Sequence, residues 1–84
     1  MLARRMHVTI HYFASLRDRQ GLDQEGIEVE EGQTLRDLYH RLFPPDTPPL
    51  PPPVLFVQNE EYVTGNTPLL DGAEVAFIPP LGGG

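Results

Sequence analysis

Residues 34–43 read Thr-Leu-Arg-Asp-Leu-Tyr-His-Arg-Leu-Phe, and this stretch decides the fold. Thr34, with Asp37 three residues later, predicts a capping box in which Asp replaces the usual Glu or Gln. Apolar side chains then recur at the helical spacing i, i+3, i+4, i+7 and i+8, at Leu35, Leu38, Tyr39, Leu42 and Phe43. Pro44 and Pro45 end the pattern. The stretch therefore predicts one amphipathic helix.

Two strands are predicted before this helix. Residues 7–13 alternate between two faces of a sheet. The face toward the helix carries Val8, Ile10 and Tyr12, and the opposite face carries His7, Thr9, His11 and Phe13. Residues 14–20 suit a short helix or turn that Gly21 ends. Residues 27–30 alternate apolar and acidic side chains in a second, half-exposed strand, which Gly32 ends.

A proline-rich insert follows the helix. Residues 44–53 contain seven prolines, so they predict an extended, stiff spacer with polyproline II character and neither helix nor central strand. The P-x-x-P spacings leave open a second interpretation, a docking ligand for an aromatic groove.

The remaining residues predict three more short elements. Residues 54–57 form a compact apolar strand, residues 59–61 turn it, and residues 62–63 make a short return strand. A loop over residues 64–68 comes next, with a tight turn at Asp71-Gly72. Residues 74–78 form the last strand, which Pro79 ends.

The predicted order is strand, strand, helix, strand, short strand, strand. One helix with four or five strands makes an α+β layer, with the helix on one face of a mixed sheet. A helix that crosses between two hairpins is the β-grasp (ubiquitin-like) arrangement, in which the first and last strands lie parallel at the centre of the sheet. We expect one domain over residues 1–80 and a flexible tail over residues 81–84.

Size and composition limit the possible functions. The chain has 84 residues and no cysteine, so it lacks a thiol nucleophile, a thiolate metal site and a disulfide framework. So short a chain favours a carrier, binding module or subunit over a self-contained enzyme. The net charge of −6 argues against nucleic acid as a partner. No signal core or membrane-length apolar run is visible, so we expect no membrane partner and a cytoplasmic location.

The charges are unevenly distributed. All six Lys or Arg residues are arginines, and they lie between Arg4 and Arg41. From Leu42 onward, every charged residue is acidic. An acidic half suits a basic partner surface and would speed encounter with it. A merely solvated acidic surface explains the same pattern.

The ends of the first and last strands predict a partner-binding patch. If these strands are parallel neighbours, Phe13 and Ile78 form an exposed apolar patch where the tail departs, and such patches mark partner surfaces. A register error of one residue would move every side chain to the other face. Arg17, just beyond the first strand, could pair with an acidic group of the partner or simply be solvated.

The final residues predict a reactive terminus. Pro79 and Pro80 stop strand pairing and stiffen the exit of the chain. Leu81 offers one apolar grip. The glycines that follow, Gly82, Gly83 and Gly84, fit a slot that only backbone can enter, because glycine has no side chain. Glycine is also costly to order, so it is a poor choice for a segment that must stay folded. We expect the α-carboxylate of Gly84 to be the reactive group, although a frayed terminus would also end in this way.

Other candidate chemistry is sparse. His7 and His11 share a strand face but are separated by about 13 Å of strand rise, too far to share a metal ion. His40 lies on the helix. We therefore expect three surface or interface histidines and no metal site. The sequence contains no phosphate-binding loop or nucleophile elbow.

The chain resembles the small subunits of molybdopterin synthase, a family of ubiquitin-like sulfur carriers. The resemblance is carried by residues 8–17, by Asn59 with Pro68-Leu69 nine residues later, by residues 71–80 and by the terminal Gly83-Gly84. Two features depart from the family's usual pattern, namely Ala73, where an acid is common, and the proline-rich insert.

The resemblance implies a sulfur carrier that binds no cofactor and is not catalytic alone. A partner enzyme would adenylate the Gly84 carboxylate with ATP, and sulfur would replace AMP to give a thiocarboxylate. The tail would then enter the large subunit, in a heterotetramer, and donate sulfur to cyclic pyranopterin monophosphate, the precursor of molybdopterin. The alternatives are a sulfur carrier for thiamine or cysteine biosynthesis, a ubiquitin-like modifier of lysines, and a plain interaction module.

Overall fold

A computed structural model describes residues 4–13, 17–18, 20–43 and 54–78. These residues form five strands and one complete helix: β1 (Arg5–Tyr12), β2 (Gln24–Glu30), α1 (Leu35–Leu42), β3 (Leu55–Gln58), β4 (Glu61–Val63) and β5 (Glu74–Ile78). The proline-rich insert and the tail from Pro79 onward lie outside the described residues, as does part of the predicted turn over residues 14–20. Arg17, Asp18 and Gln20 are helical, and Gly21 ends that turn with φ of 77°.

The five strands form a single sheet in the order β2-β1-β5-β3-β4. β1 and β5 are parallel neighbours at its centre, whereas the pairs β1–β2, β3–β4 and β3–β5 are antiparallel. The predicted β-grasp fold with its parallel central pair is therefore confirmed.

The capping box of α1 is present. The Thr34 hydroxyl accepts a hydrogen bond from the Asp37 N–H (3.1 Å), and the Asp37 carboxylate accepts one from the Thr34 N–H (2.9 Å). These two bonds satisfy N–H groups that the first helical turn leaves without partners. At the other end, the Phe43 N–H donates to the Tyr39 carbonyl at 2.9 Å. The helix therefore begins where the sequence predicts.

The core lies between α1 and one face of the sheet. Ile10, Leu35 and Phe77 are fully buried. Tyr39 connects helix and sheet, because its ring packs edge-on against Phe77 at a centroid distance of 5.3 Å and also against Phe56 at 6.0 Å. Such edge-to-face contacts add to the free energy of burial. Apolar residues from every part of the predicted helical and strand pattern thus meet in one core.

A corner at Asp71 sets the position of β5 beside β1. The Asp71 carboxylate accepts a hydrogen bond from the His7 N–H at 3.0 Å, and the Gly72 N–H donates to the His7 carbonyl at 2.7 Å. Gly72 has φ of 78°, a left-handed conformation that glycine adopts without steric cost. The predicted Asp71-Gly72 turn is present, and it fixes the first contact of the parallel pair.

The turn between β3 and β4 differs from the prediction. β3 begins at Leu55 and extends to Gln58, and the turn contains only Asn59 and Glu60, both with positive φ (51° and 69°). Such a two-residue turn matches the twist of a hairpin. Glu61, which we placed in the turn, instead pairs with Gln58 as the first residue of β4.

Gln58 is a buried polar residue that the sequence did not reveal. It is 5% exposed. Its side-chain amide donates to the Pro68 carbonyl at 3.1 Å and accepts from the Leu70 N–H at 3.0 Å. A buried amide is stable only when its donors and acceptors are satisfied. Gln58 therefore attaches the loop before β5 to β3.

Tyr12 ends β1 with its ring in the core and its hydroxyl bonded to the Glu25 carboxylate at 3.0 Å. Burial is the main reason that the pKa of Tyr12 rises to about 12, and the neighbouring Glu25 charge acts in the same direction. The ionised phenol is thus strongly disfavoured in the folded protein.

Removing the helix cap should lower stability. Thr34→Ala deletes the hydroxyl that accepts from Asp37, so we expect a loss of about 1 kcal/mol in the free energy of unfolding. Urea denaturation followed by circular dichroism measures the loss. Thr64→Ala is the matched control, because Thr64 is exposed and, among the described residues, its hydroxyl hydrogen-bonds only with the Thr67 hydroxyl. Equal effects of the two substitutions would contradict a role for the cap.

Stability should also fall at alkaline pH. The pKa of Tyr12 is higher in the folded state than the ordinary 10.0 of the unfolded chain, so the unfolded state releases its proton first. The stabilising contribution is complete below about pH 10 and is lost as the pH rises toward 12, by up to about 2–3 kcal/mol. Urea midpoints across this range measure the effect. Tyr12→Phe should flatten the decline, and an unchanged slope would contradict this origin.

Candidate functional site

The carboxyl ends of β1 and β5 meet at one end of the sheet. The parallel register pairs Tyr12 with Phe77 as its last step. Phe13 and Ile78 are the next residues of the two strands, so the chain leaves β5 beside the end of β1. Phe13 is half exposed, and Ile78 is partly buried. The structure thus places both residues of the predicted patch at the same end of the sheet.

The face of the sheet opposite α1 carries a row of side chains that crosses four strands. The registers align His11 of β1 with Ala76 of β5, Ala76 with Val57 of β3, and Val57 with Tyr62 of β4. Two residues further along β5, on the same face, Ile78 pairs with Leu55 of β3. Tyr62 is 72% exposed and Leu55 is 46% exposed. We call this surface, together with Phe13, the open face.

A shallow hollow of about 230 Å³ lies within the open face. Its apolar lining is Phe13, Val57, Val75 and Ala76, and its polar lining is His11, Glu60 and Glu74. Ala76 lies on the open side, but it is only 7% exposed, so it forms the floor of the hollow. Ile78 does not line the hollow. The apolar surface therefore extends from Phe13 toward β3 and β4, beyond the pair of residues that the sequence singled out.

The residues that the sequence analysis missed are Leu55, Val57 and Tyr62. Each was assigned to a strand, but no partner role was given to it. Their side chains share a face with Phe13 only because β3 pairs with β5 and β4 pairs with β3. A complete set of strand registers, which alternation alone does not supply, would have found them.

Two acidic side chains help to line the hollow. Glu60 and Glu74 lie at its edge, and the Glu74 carboxylate is 2.9 Å from the His11 ring nitrogen. Asn59 holds this edge in place, because its side-chain oxygen accepts from the Glu74 N–H at 3.0 Å and its own N–H donates to the Glu74 carbonyl at 2.8 Å. An apolar floor with an acidic edge suits a partner surface that combines apolar side chains with cations.

Arg17 lies just beyond β1, as predicted. Its guanidinium is 3.8 Å from the Asp23 carboxylate, and both side chains are more than half exposed. Solvent weakens such a pair, so it contributes little to stability. The guanidinium is therefore accessible to a further acidic group. The other predicted site residues, Pro79, Pro80, Leu81, Gly82, Gly83 and Gly84, lie outside the described residues.

The three histidines occupy separate surroundings. His7 lies 3.7 Å from Glu28, His11 pairs with Glu74, and His40 packs edge-on against Tyr39. Within residues 4–13, 17–18, 20–43 and 54–78, no group of three or more potential metal ligands comes together. No helix in the same ranges is long and apolar enough to span a membrane.

These features define a class of protein. The chain is a ubiquitin-like β-grasp protein with an apolar hollow on the open face, and its last strand leads into a glycine tail. It belongs to the ThiS family, whose model matches residues 10–84. The family resemblance that we inferred from the sequence is therefore confirmed.

Two further comparisons agree with this assignment. The chain is 34% identical, over 94% of its length and all of the relative's, to the molybdopterin synthase sulfur carrier subunit of Chlamydomonas reinhardtii. A putative molybdopterin converting factor subunit 1 from Pyrococcus furiosus is 28% identical and superposes with a TM-score of 0.70, which covers 90% of this chain and 99% of that one.

A third relative is known in a complex. The Helicobacter pylori structure of subunits 1 and 2 of molybdopterin-converting factor contains a chain that superposes with a TM-score of 0.60 at 20% identity. The superposition covers 94% of this chain and 100% of that one. At this level of identity the comparison supports the shared fold.

Proposed function

We propose that this chain is the sulfur carrier subunit of a molybdopterin synthase and that its reactive group is the Gly84 carboxylate. The observation that carries the proposal is the parallel pairing of β1 with β5, which brings Ile78, the last described residue, to the same end of the sheet as Phe13 of the apolar hollow. The family match, which extends through residue 84, and the Chlamydomonas relative support it. The body is residues 1–80, and residues 81–84 are the tail.

The chemistry follows from the low reactivity of a carboxylate. A carboxylate is a poor electrophile, so a partner enzyme first joins a Gly84 oxygen to the α-phosphorus of ATP and releases pyrophosphate. The terminal sulfur of a persulfide on a partner then attacks the carbonyl carbon and displaces AMP, which gives an acyl disulfide. A thiol of the partner cleaves the S–S bond, which leaves the thiocarboxylate on Gly84 and a disulfide on the partner. Water must be excluded from the acyl adenylate, and burial of the tail in a partner's pocket achieves this.

The large subunit uses the thiocarboxylate. Two successive donations of sulfur to cyclic pyranopterin monophosphate produce the dithiolene of molybdopterin. This chain supplies the sulfur and carries out no catalysis alone. The nucleotide site and the groups that bind the pterin belong to the partners, which explains how so short a chain can take part in both reactions.

The open face supplies the docking surface in this proposal. Phe13 and Ile78 flank the point of departure of the tail, and Val57 and Tyr62 extend the apolar area across the sheet. A large subunit that covers this face would bury half-exposed aromatic and aliphatic groups, which is typical of an interface core. Pro79 and Pro80 would direct the tail into the partner, Leu81 would provide an apolar contact, and Gly82 and Gly83 would pass through a narrow slot.

Arg17 and the acidic residues contribute to orientation. The accessible Arg17 guanidinium could pair with an acidic group of the large subunit at the same end of the sheet. Glu60 and Glu74, at the edge of the hollow, suit basic groups on the same partner. Charges of this kind speed encounter and select the orientation more than they add affinity.

Loss of the last glycine should abolish sulfur transfer. A chain without Gly84 should keep its unfolding midpoint, because every core residue described above precedes the tail. Intact-mass analysis of protein from the native host should show a gain of about 16 Da for the full chain, since sulfur replaces one oxygen, and no such gain for the truncated chain. Molybdopterin formation by the truncated chain at the normal rate would refute the proposal.

A charge in the hollow should weaken docking. Phe13→Asp places a carboxylate on the apolar lining, so we expect at least a tenfold increase in the Kd for the large subunit, about 1.4 kcal/mol or more, with an unchanged circular dichroism spectrum. Isothermal titration calorimetry measures the change. Leu70→Asp is the matched control, because Leu70 is similarly exposed (54% against 50%) but lies before β5, at the end of the sheet away from the tail. Equal affinity of both variants would remove the hollow from the interface.

Two alternative functions would give different results in cells of the native host. A carrier for thiamine or cysteine biosynthesis would acquire the thiocarboxylate, but its loss would leave molybdopterin levels unchanged. A protein modifier would be recovered in amide linkage to lysines of other proteins, which mass spectrometry of tryptic peptides detects. Neither result is expected here.

A further inference from the structure

β2 is one of the two edge strands of the sheet, and part of its outer edge leaves backbone groups without partners among the described residues. It pairs on one side with β1, and no other described strand lies on its other side. In an antiparallel pair, successive residues turn their N–H and C=O groups alternately toward and away from the neighbouring strand. The Tyr12 N–H bonds to the Asp23 carbonyl, and the Glu31 N–H bonds to the Arg4 carbonyl. The backbone N–H and C=O groups of odd-numbered residues in this strand therefore point toward β1, and those of even-numbered residues point outward.

Side chains cover one half of this outward edge. Arg41, in the last turn of α1, donates to the Glu28 carbonyl at 2.9 Å. The Gln33 side chain accepts from the Glu30 N–H at 2.9 Å, and the Gln33 N–H donates to the Glu30 carbonyl at 3.1 Å. These contacts satisfy the groups that an added strand would otherwise use. The covered half begins at the Glu28 carbonyl.

The other half of the edge is open. Among the described residues, the outward N–H and C=O groups of Gln24 and Gly26, and the Glu28 N–H, have no hydrogen-bond partner. A row of free backbone groups of this kind is a template for strand addition. The open half is therefore long enough to accept a short extended segment, and the Arg41 contact limits its length.

Gly26 lies at the centre of the open half, and the fold itself does not require glycine there. Its φ lies outside the left-handed range, and a Cβ built on it would meet nothing within 4 Å. Glycine weakens the interior of a strand, and it is typical of places where another backbone approaches closely. The missing side chain leaves room beside the edge on the open side of the sheet.

The charge around this edge indicates the partner. Residues 23–31 contain five carboxylates and no Lys or Arg. Arg17, Arg5 and Arg4 lie near Asp23, Glu28 and Glu31 respectively. Glu25 and Glu30 have no cationic partner among the described residues. A second copy of this chain would bring a strand of the same negative charge, whereas a basic segment would be attracted.

We propose that the open half of β2, from Gln24 to the Glu28 N–H, binds an extended basic segment of a partner protein as an added strand. The outward backbone groups of this edge point away from β1, and none of the residues from Gln24 to Glu28 lines the hollow. The interaction does not depend on the Gly84 chemistry. A carrier that meets more than one partner can thus be held through its edge while the open face remains available.

The test uses the full chain labelled with ¹⁵N and a synthetic six-residue peptide of alternating lysine and valine. We expect slowed amide hydrogen exchange at Gly26 and Glu28 on addition of the peptide, with no change at Glu30, whose N–H is already bonded. A peptide of alternating glutamate and valine is the matched control and should not slow exchange. Unchanged exchange at Gly26 with the lysine peptide, or equal effects of both peptides, would overturn the proposal.

Substitutions at Gly26 separate strand addition from simple charge attraction. Gly26→Pro removes the outward N–H without loss of a bond to β1, and we expect the peptide Kd to rise at least about tenfold. Gly26→Ala keeps the N–H and should change the Kd by less than about threefold. If the proline variant does not fold, Gln24→Pro removes the adjacent outward N–H in the same way. Equal Kd values for the proline variant that folds and for the alanine variant would overturn strand addition.

Two controls address the identity of the occupant. Protection of Gly26 that appears without peptide and increases with protein concentration would show that a second copy covers the edge, and the proposed partner would then be wrong. A chain that lacks Gly83 and Gly84 should bind the peptide with unchanged Kd. Peptide binding would therefore persist even if the proposed chemistry of the tail were wrong. Loss of peptide binding in the truncated chain would contradict the proposal that the edge binds independently of the tail.

Discussion

The parallel pairing of β1 with β5 is the constraint on which the rest of the structure depends. Parallel neighbours cannot be joined by a tight turn, so the whole of β2, α1, β3 and β4 lies in the connection between them. The corner at Asp71 and Gly72 fixes the start of this pair through two hydrogen bonds to the backbone of His7. Because both strands run in one direction, Phe13 and Ile78 follow them at the same end of the sheet. The position of the tail is thus a consequence of strand topology.

The same pairing separates two faces with different roles. On the helix side, Phe77, Tyr39 and Ile10 are buried in a small aromatic and aliphatic core. On the open side, the small side chain of Ala76 forms the floor of a hollow between Phe13 and Val57. Alternation along β5 therefore gives one strand both a packing face and a face for a partner. A substitution that shifted the register would damage both at once.

The fold was largely predictable from the sequence because its signals are local. Thr34 and Asp37 cap the helix by contacts within one turn, and Asp71-Gly72 forms its turn in the expected place. Gln58 and Tyr62 were missed for the opposite reason. The hydrogen bonds of Gln58 reach residues ten and twelve positions away, and Tyr62 joins the open face only through the pairing of β3 with β4. The error at Glu61 has a local cause, since Asn59 and Glu60 both adopt positive φ and complete the turn in two residues.

In the proposed function, the folded body and the tail divide the work of binding and reaction. A segment rich in glycine binds weakly alone because ordering it is costly. Docking of the open face removes most of that disadvantage, because the tail then reaches the partner's pocket at high effective concentration. Six residues after Ile78 span at most about 20 Å when fully extended. The pocket that receives Gly84 must therefore lie within this distance of the end of β5, so the position of the docking surface and the position of the reacting carbon cannot vary independently.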